Sequence, residues 1–291
     1  MRIGTRGSAL ALAQAGWVAE RLGADAEIVT ITTLGDRGAE IGDKSRWVSE
    51  LEVALLDGRI DIAVHSAKDV PTQLSEGLEL VAIPERADPR DAICGARSLA
   101  ELPADARVGT SSLRRAAQIR AVRDDLDVTS VRGNVDTRLR KLSEGQFDAI
   151  VLALAGLQRL GRADEAGGVL AELVPAAGQG ALAIEARVGA VPAQLLAAVS
   201  DPEATACVTA ERDLVGALDA SCNTPVGAHA SPRGGGGLEL VAWVGLPDGS
   251  AWIGDRQTGD AADVGRAVAQ RLLRAGAGEL LRRAEREASV V

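Results

Sequence analysis

Tyrosine is absent from this chain and phenylalanine occurs once, so aromatics make up only 2% of 291 residues. Stacking platforms for single-stranded nucleic acid are therefore scarce, and the core must be built from Leu, Val, Ile and Ala. Lysine is nearly missing too. Lys44, Lys68 and Lys141 are its three occurrences among 32 basic side chains, and arginine supplies the rest. The three cysteines, Cys94, Cys207 and Cys222, are odd in number and widely spaced, without a CxxC pair. That pattern excludes a disulfide framework and a zinc site. No apolar run reaches membrane-spanning length, and the opening MRIGTRGSALALAQ lacks the apolar stretch of a signal peptide. The expectation is a reduced, cytoplasmic protein with no membrane partner and no metal. A net charge of −9 repels phosphate backbones, so no nucleic-acid partner is expected.

What is present is a regular alternation. Arg2–Thr5 reads as a strand, and Ala11, Ala15, Val18 and Leu22 share one helical face. Glu27–Thr33, Ile60–His65 and Leu78–Ile83 read as further strands, with a helix at Leu51, Ala54 and Leu55 ending near Gly58. Glu85–Asp91, charged and holding Pro89, reads as a linker. The pattern then restarts. Strands are predicted at Arg107–Thr110, Asp127–Val131 and Asp148–Leu154, with helices at Leu113–Arg123 and Val135–Leu142. The openings RIGTRGSAL and RVGTSSLRR echo each other, as two similar α/β units around a ligand cleft would require. Pro175–Gly180 reads as a crossing, and Ala181–Arg187 as a strand returning to the first unit. From Asp201 the character becomes antiparallel α+β, with strands at Thr224–Ser231, Leu238–Leu246 and Ala251–Arg256 and a helix on Val264, Val268 and Leu272.

The densest chemical signal is arginine and hydroxyl at predicted strand ends. Arg6 and Ser8 follow the first strand. Thr110, Ser111, Ser112, Arg114 and Arg115 sit at one strand-to-helix junction, and Arg132, Gly133, Asn134 and Arg138 at the next; Arg159 follows a third strand. Ligands of open α/β sheets bind beyond the carboxyl ends of the strands, where helix N-termini and arginine forks match carboxylates or phosphates. A polyanionic ligand is implied. His65-Ser66-Ala67-Lys68-Asp69 follows a buried-type strand; the carboxylate suits proton transfer and stabilisation of a developing cation. On its own this stretch fits a surface ion pair before a proline turn slightly better, and His65 reads as hydrogen-bonded structure rather than a base. Cys222, in a loop marked by Asn223 and Pro225, is either a nucleophilic thiol or a plain, partly buried one. Gly42–Trp47, with Lys44, is a lid or a loop.

The segments TRGSALALAQ, DKSRWVSELEVALL, DIAVHSAKDVPT, ERADPRDAI, VGTSSLRRAAQ, VRGNVDTRL, DAIVLALAGLQRLG, GQGALAIE, VTAERDL and SCNTPVGA, in that order, resemble the porphobilinogen deaminase (hydroxymethylbilane synthase) family along nearly the whole chain. The resemblance implies two periplasmic-binding-protein-like α/β lobes with a central cleft plus a C-terminal α+β domain. The boundaries would be 1–85 with 181–200, 86–180 and 201–291. It implies a transferase, a monomer, that deaminates four porphobilinogens and joins them head to tail on a dipyrromethane cofactor thioether-linked to Cys222. Asp69 and Lys68 would be catalytic. Ser66, Lys68, Asp69, Thr110, Ser111, Ser112, Arg114, Arg115, Arg132 and Gly133 would hold the cofactor, and Arg6, Ser8, Lys44, Arg132, Arg138 and Arg159 the substrate. Lys68 would pair with Asp69 or with a substrate carboxylate. The chain departs from the family's pattern in a shorter Asp36–Lys44 segment, in Glu40 and Leu34, and in Trp47 where Phe is usual. A two-lobed anion-binding protein without enzymatic activity would share the lobes but would need no cysteine-bearing third domain.

Overall fold

The computed structural model describes residues 1–23, 25–33, 48–220 and 224–288. In chain order it begins β1 (Arg2–Thr5), α1 (Ala9–Leu22), β2 (Glu27–Thr30), α2 (Ser49–Leu56), β3 (Ile62–Ser66) and β4 (Leu78–Ala82). Next come β5 (Asp91–Cys94), β6 (Arg107–Gly109), α3 (Leu113–Val122), β7 (Asp127–Thr129), α4 (Val135–Ser143), β8 (Ala149–Ala153), α5 (Leu154–Arg159) and β9 (Gly168–Leu170). The chain continues through β10 (Leu182–Arg187), α6 (Ala193–Ala197) and α7 (Pro202–Ala217). It ends with β11 (Val226–Pro232), β12 (Gly237–Gly245), β13 (Trp252–Asp260), α8 (Val264–Arg274) and α9 (Ala277–Ala288). Two compact units result: Met1–Ala87 with Gly178–Thr209, and Asp88–Ala177 with Ala210–Val291.

The first unit holds a five-stranded sheet of order β2-β1-β3-β10-β4. Its first three strands are parallel, and β10 runs antiparallel to both β3 and β4. The second unit repeats the plan in the order β7-β6-β8-β5-β9, with β5 as the reversed strand. Each mostly parallel sheet thus carries one antiparallel strand in fourth place. The second sheet takes that strand from its own beginning; the first must wait for residues 182–187.

The echo between the two openings has a physical content. The Arg2 backbone N–H donates to Asp61 at 2.7 Å, and its guanidinium pairs with the same carboxylate at 2.6 Å. The Arg107 N–H donates to Asp148 at 2.7 Å, with its guanidinium 3.5 Å away. In both sheets an arginine opening the second strand in the sheet order is tied to the aspartate just before the central strand, which runs parallel beside it.

Alternation of side chains fills both faces of each sheet, as sheets covered on two sides require. In the first, Ile62, Val64, Leu182 and Ile184 pack with Ile3, Ala15 and Val18. Ala63 packs on the opposite side with Leu51, Leu55 and Ile60. In the second, Val151 joins Val108, Ile119 and Val128, while Ile150 and Leu152 join Leu139 and Leu157. The largest fully buried side chains are all Ile or Leu, in keeping with the scarcity of aromatics.

Within the second unit, β11-β12-β13 form an antiparallel meander. Leu238, Leu240, Ala242 and Val244 are buried along β12, as are Val268 and Leu272 of α8 and Leu281 of α9. The meander is fixed to the second sheet's elements. The Ala228 N–H donates to the Pro175 carbonyl at 2.8 Å, and Arg120 of α3 donates to the Pro247 carbonyl at 2.8 Å. Gly249 has φ +75°, and a Cβ there would lie 2.6 Å from the Ala121 nitrogen, so the β12–β13 turn fits α3 only as glycine. Among the described residues no helix is long and apolar enough to cross a membrane.

Candidate functional site

In the first unit the parallel strands β1 and β3 end side by side. Ser8 caps α1 by accepting the Ala11 N–H at 3.3 Å. Arg6 precedes it, half-buried. At the end of β3, Ser66 accepts a hydrogen bond from the Gln14 amide at 2.8 Å. A single 3₁₀ turn, Ala67–Asp69, then presents Lys68 and Asp69, both half-buried. The turn is braced from β10's side. The Ala67 N–H donates to the Ala181 carbonyl at 3.0 Å. Gly178, at φ +74°, comes so close that a Cβ would lie 2.9 Å from the Lys68 nitrogen. Among the described residues the Asp69 carboxylate forms no ion pair, with Lys68 or with any other cation.

In the second unit β6, β7 and β8 end together. Ser112 caps α3 through the Arg115 N–H at 3.4 Å, and Asn134 caps α4 through the Thr137 N–H at 2.9 Å. Thr110 accepts from the Ser112 N–H at 3.2 Å. The Ser111 hydroxyl donates to the Val131 carbonyl, which ties the loops after β6 and β7 together. Arg132 and Gly133 are exposed on the second of these loops. Arg132's guanidinium has no carboxylate partner among the described residues, and Lys141 donates to its carbonyl at 3.3 Å. Arg138 donates to the Gly133 carbonyl at 2.8 Å. Burial, with Arg115 nearby, pushes its pKa down. Burial also holds the Arg159 guanidinium down, at about 10. Cations disfavoured in this way gain from an arriving anion.

Arg114 and Arg115 have a different setting. Both are buried, and both bind Asp91, at 2.8 and 2.7 Å. Arg114 also donates to the Val174 carbonyl at 2.6 Å and Arg115 to the Val151 carbonyl at 3.1 Å. Against the cost of its burial, the two guanidiniums hold the Asp91 carboxyl well below the usual carboxylate range. Two cations on one carboxylate leave a net positive charge at this end of the sheet. The sequence reading placed Asp91 in a linker. The structure makes it the first residue of β5, opposite Ala153 at the end of β8. Gln14 also went unread, although a glutamine on the buried face of a predicted helix was the signal for it.

The arrangement is one of donors. In the first unit the oxygens of Ser8 and Ser66, and in the second those of Thr110 and Ser112, each accept an internal N–H, which leaves each hydroxyl able to donate as well; Ser111 spends its O–H on Val131. Such a set matches a ligand rich in carboxylates, as a dipyrromethane with acidic side chains would be. Lys44 and Cys222 lie outside the described residues.

Two family models match the chain. "Porphobilinogen deaminase, dipyromethane cofactor binding domain" covers residues 1–194, and "Porphobilinogen deaminase, C-terminal domain" covers residues 205–274. The porphobilinogen deaminase of Thiobacillus denitrificans is 49% identical, over 97% of this chain and 97% of its own. That of Deinococcus deserti is 48% identical over 96% and 97%, and that of Chromobacterium violaceum 49% over 96% of each. Similar solved structures include the BvgS periplasmic VFT2 domain of Bordetella pertussis, at 17% identity and TM-score 0.36, covering 68% of this chain and 84% of that one. A TRAP periplasmic solute binding protein from Desulfovibrio salexigens has 11% identity and TM-score 0.39, covering 68% and 69%.

Proposed function

The chain belongs to the porphobilinogen deaminase family, and from that membership we propose how its residues divide the work. The enzyme removes ammonia from porphobilinogen and joins four molecules head to tail, releasing hydroxymethylbilane in tetrapyrrole biosynthesis. Its dipyrromethane cofactor supplies, when bound, the covalent end on which the pyrrole chain is built. In this reading Cys222 is the point of attachment.

Each pyrrole brings acetate and propionate groups. Arg6, Arg132, Arg138, Arg159 and Lys44 pair with these carboxylates, and Ser8, Ser66, Ser112 and Thr110 donate to them. The Gly133 backbone and Ser111 shape the loop that presents Arg132. Arg114 and Arg115, outnumbering Asp91, supply a fixed positive field for the cofactor's acidic groups. Lys68 pairs with a substrate carboxylate. The Asp69 carboxylate accepts from pyrrole N–H groups, stabilises the cation left as ammonia departs and carries a proton between steps. The observation that carries this reading is the hydroxyls and cations at the ends of β1 and β3 in the first unit and, separately, of β6 and β7 in the second.

The division 1–85 with 181–200, 86–180 and 201–291 is part of the proposal, supported by the three separate sheets. So are a monomeric state and a cytoplasmic location, the latter supported by Cys94 being a free, buried thiol.

Intact mass spectrometry with peptide mapping around Cys222 tests the attachment. A mass excess of two linked pyrroles on that peptide is expected. An unmodified peptide after incubation with porphobilinogen would sink the assignment. Asp69→Asn is expected to assemble the cofactor and lose about a hundredfold or more in turnover; parental turnover removes Asp69 from its role.

A further inference from the structure

One polar pair lies inside the first sheet, on the face of β3 and β10 that also carries Ala63 and Ala183. His65 of β3 and Glu185 of β10 are 6% and 0% exposed, and His65 Nε2 donates to Glu185 Oε2 at 2.9 Å. In the antiparallel register His65 stands opposite Ala183, and Glu185 opposite Ala63. The pair therefore bridges the two strands diagonally on one face. Glu185 Oε1 is buried with no hydrogen-bond partner among the described residues.

For stability this is a poor arrangement. A buried carboxylate with one oxygen unsatisfied is inferior to two apolar side chains of similar size. Glu185 also stands at an irregularity, since β10 pairs Ile184 with Ala82 and then Glu185 with Leu80. Bulges of this kind re-aim the chain near functional sites. What the pair spans is informative. One residue beyond His65 is Ser66, and the braced turn with Lys68 and Asp69 follows it. Three residues before Glu185 β10 begins, preceded by the Gly178–Ala181 segment that braces that turn. A slip of one residue between β3 and β10 would turn every side chain to the other face and carry Asp69 away from its place.

We propose that His65 and Glu185 are positioning residues, a polar peg that sets the β3–β10 register and with it the placement of Ser66, Lys68 and Asp69. The proposal rests on the role given to Lys68 and Asp69 above. The test uses the full-length, cofactor-loaded enzyme and compares the His65→Leu/Glu185→Leu double variant with Glu185→Gln and Asp69→Asn. The double variant is expected to unfold at or above the parental temperature. Its kcat is expected to fall about tenfold or more, with KM for porphobilinogen changed less than about threefold. Glu185→Gln keeps an acceptor for His65 and is expected to hold kcat within about threefold. Parental kcat in the double variant overturns the proposal. So does a loss in Glu185→Gln as large as in the double variant, because charge and not register would then be the requirement. If the double variant does not fold, Glu185→Gln is set against Glu185→Ala; positioning requires that only the alanine variant lose kcat, and equal values overturn it. Parental kcat in Asp69→Asn sinks the functional reading and not the register effect, which the other variants measure directly.

Discussion

Arginines at neighbouring strand-to-helix junctions have different physical tasks, and their surroundings decide which. Arg114 and Arg115 are anchored in the interior by Asp91, whereas Arg132 is exposed and has no carboxylate to hold it among the described residues. Asp91→Asn removes the one negative charge between two buried guanidiniums and is expected to cost about 3–5 kcal/mol at neutral pH, read by chemical denaturation. The pH dependence has a definite sign. The carboxyl is depressed in the folded protein, so its stabilisation is complete above the ordinary aspartate value of 3.8 and is lost as pH falls below it. The gap between parent and Asp91→Asn is therefore expected to narrow only in acid; a gap that instead closes between pH 5 and 8 would point to another group. Arg132→Leu is expected to leave stability unchanged and to weaken porphobilinogen binding or cofactor assembly. Unchanged steady-state kinetics would make Arg132 a surface charge.

Among the elements, the short helices at the strand ends carry two roles on one residue. Ser112 satisfies a helix N–H with its oxygen and in the proposed function also donates to a ligand carboxylate, while Asn134 caps α4 and has no assigned contact to a ligand. Ser112→Ala and Asn134→Ala are each expected to lose about 1 kcal/mol of stability. Only Ser112→Ala is expected also to raise KM; equal kinetic effects would deny Ser112 its second role. These strand-to-helix junctions were legible in the sequence because glycine, hydroxyl and an apolar period coincide there. The three-residue β9 was not, since Gly168–Leu170 is too short to show a period. In α9, Ala277, Leu281 and Ala284 do fall on one buried face, a helical spacing the sequence reading passed over. Asp91 was misplaced for a physical reason. Pro89 and the flanking charges have the composition of a linker, and only the pairing of β5 with β8 and β9 turns the last of those charges inward. Which N–H each serine oxygen accepts was hidden as well, because Ser66 takes its donor from Gln14, far away in the sequence.

At the scale of the whole molecule, both sheets share one strand plan, but the chain completes them differently. The second sheet closes over residues 91–170, whereas the first takes its fourth strand from residues 182–187 and, among the described residues, β4 pairs with no strand but β10. Loop closure over a longer span is slower. In refolding, amides of β6 and β8 are expected to gain hydrogen-exchange protection before those of β4. Protection of β4 first would contradict this order.

The same connection acts on the chain as it is made. When the ribosome has passed residue 170, every strand of the second sheet exists, while the first still lacks the strand that joins β3 to β4. The half synthesised first is thus the later one to close. Until residue 187 emerges, β3 and β4 present unpaired backbone edges to whatever is near. For that interval the nascent protein is open to chaperones and to strand pairing with other chains, and a pause in translation between residues 170 and 187 would prolong it.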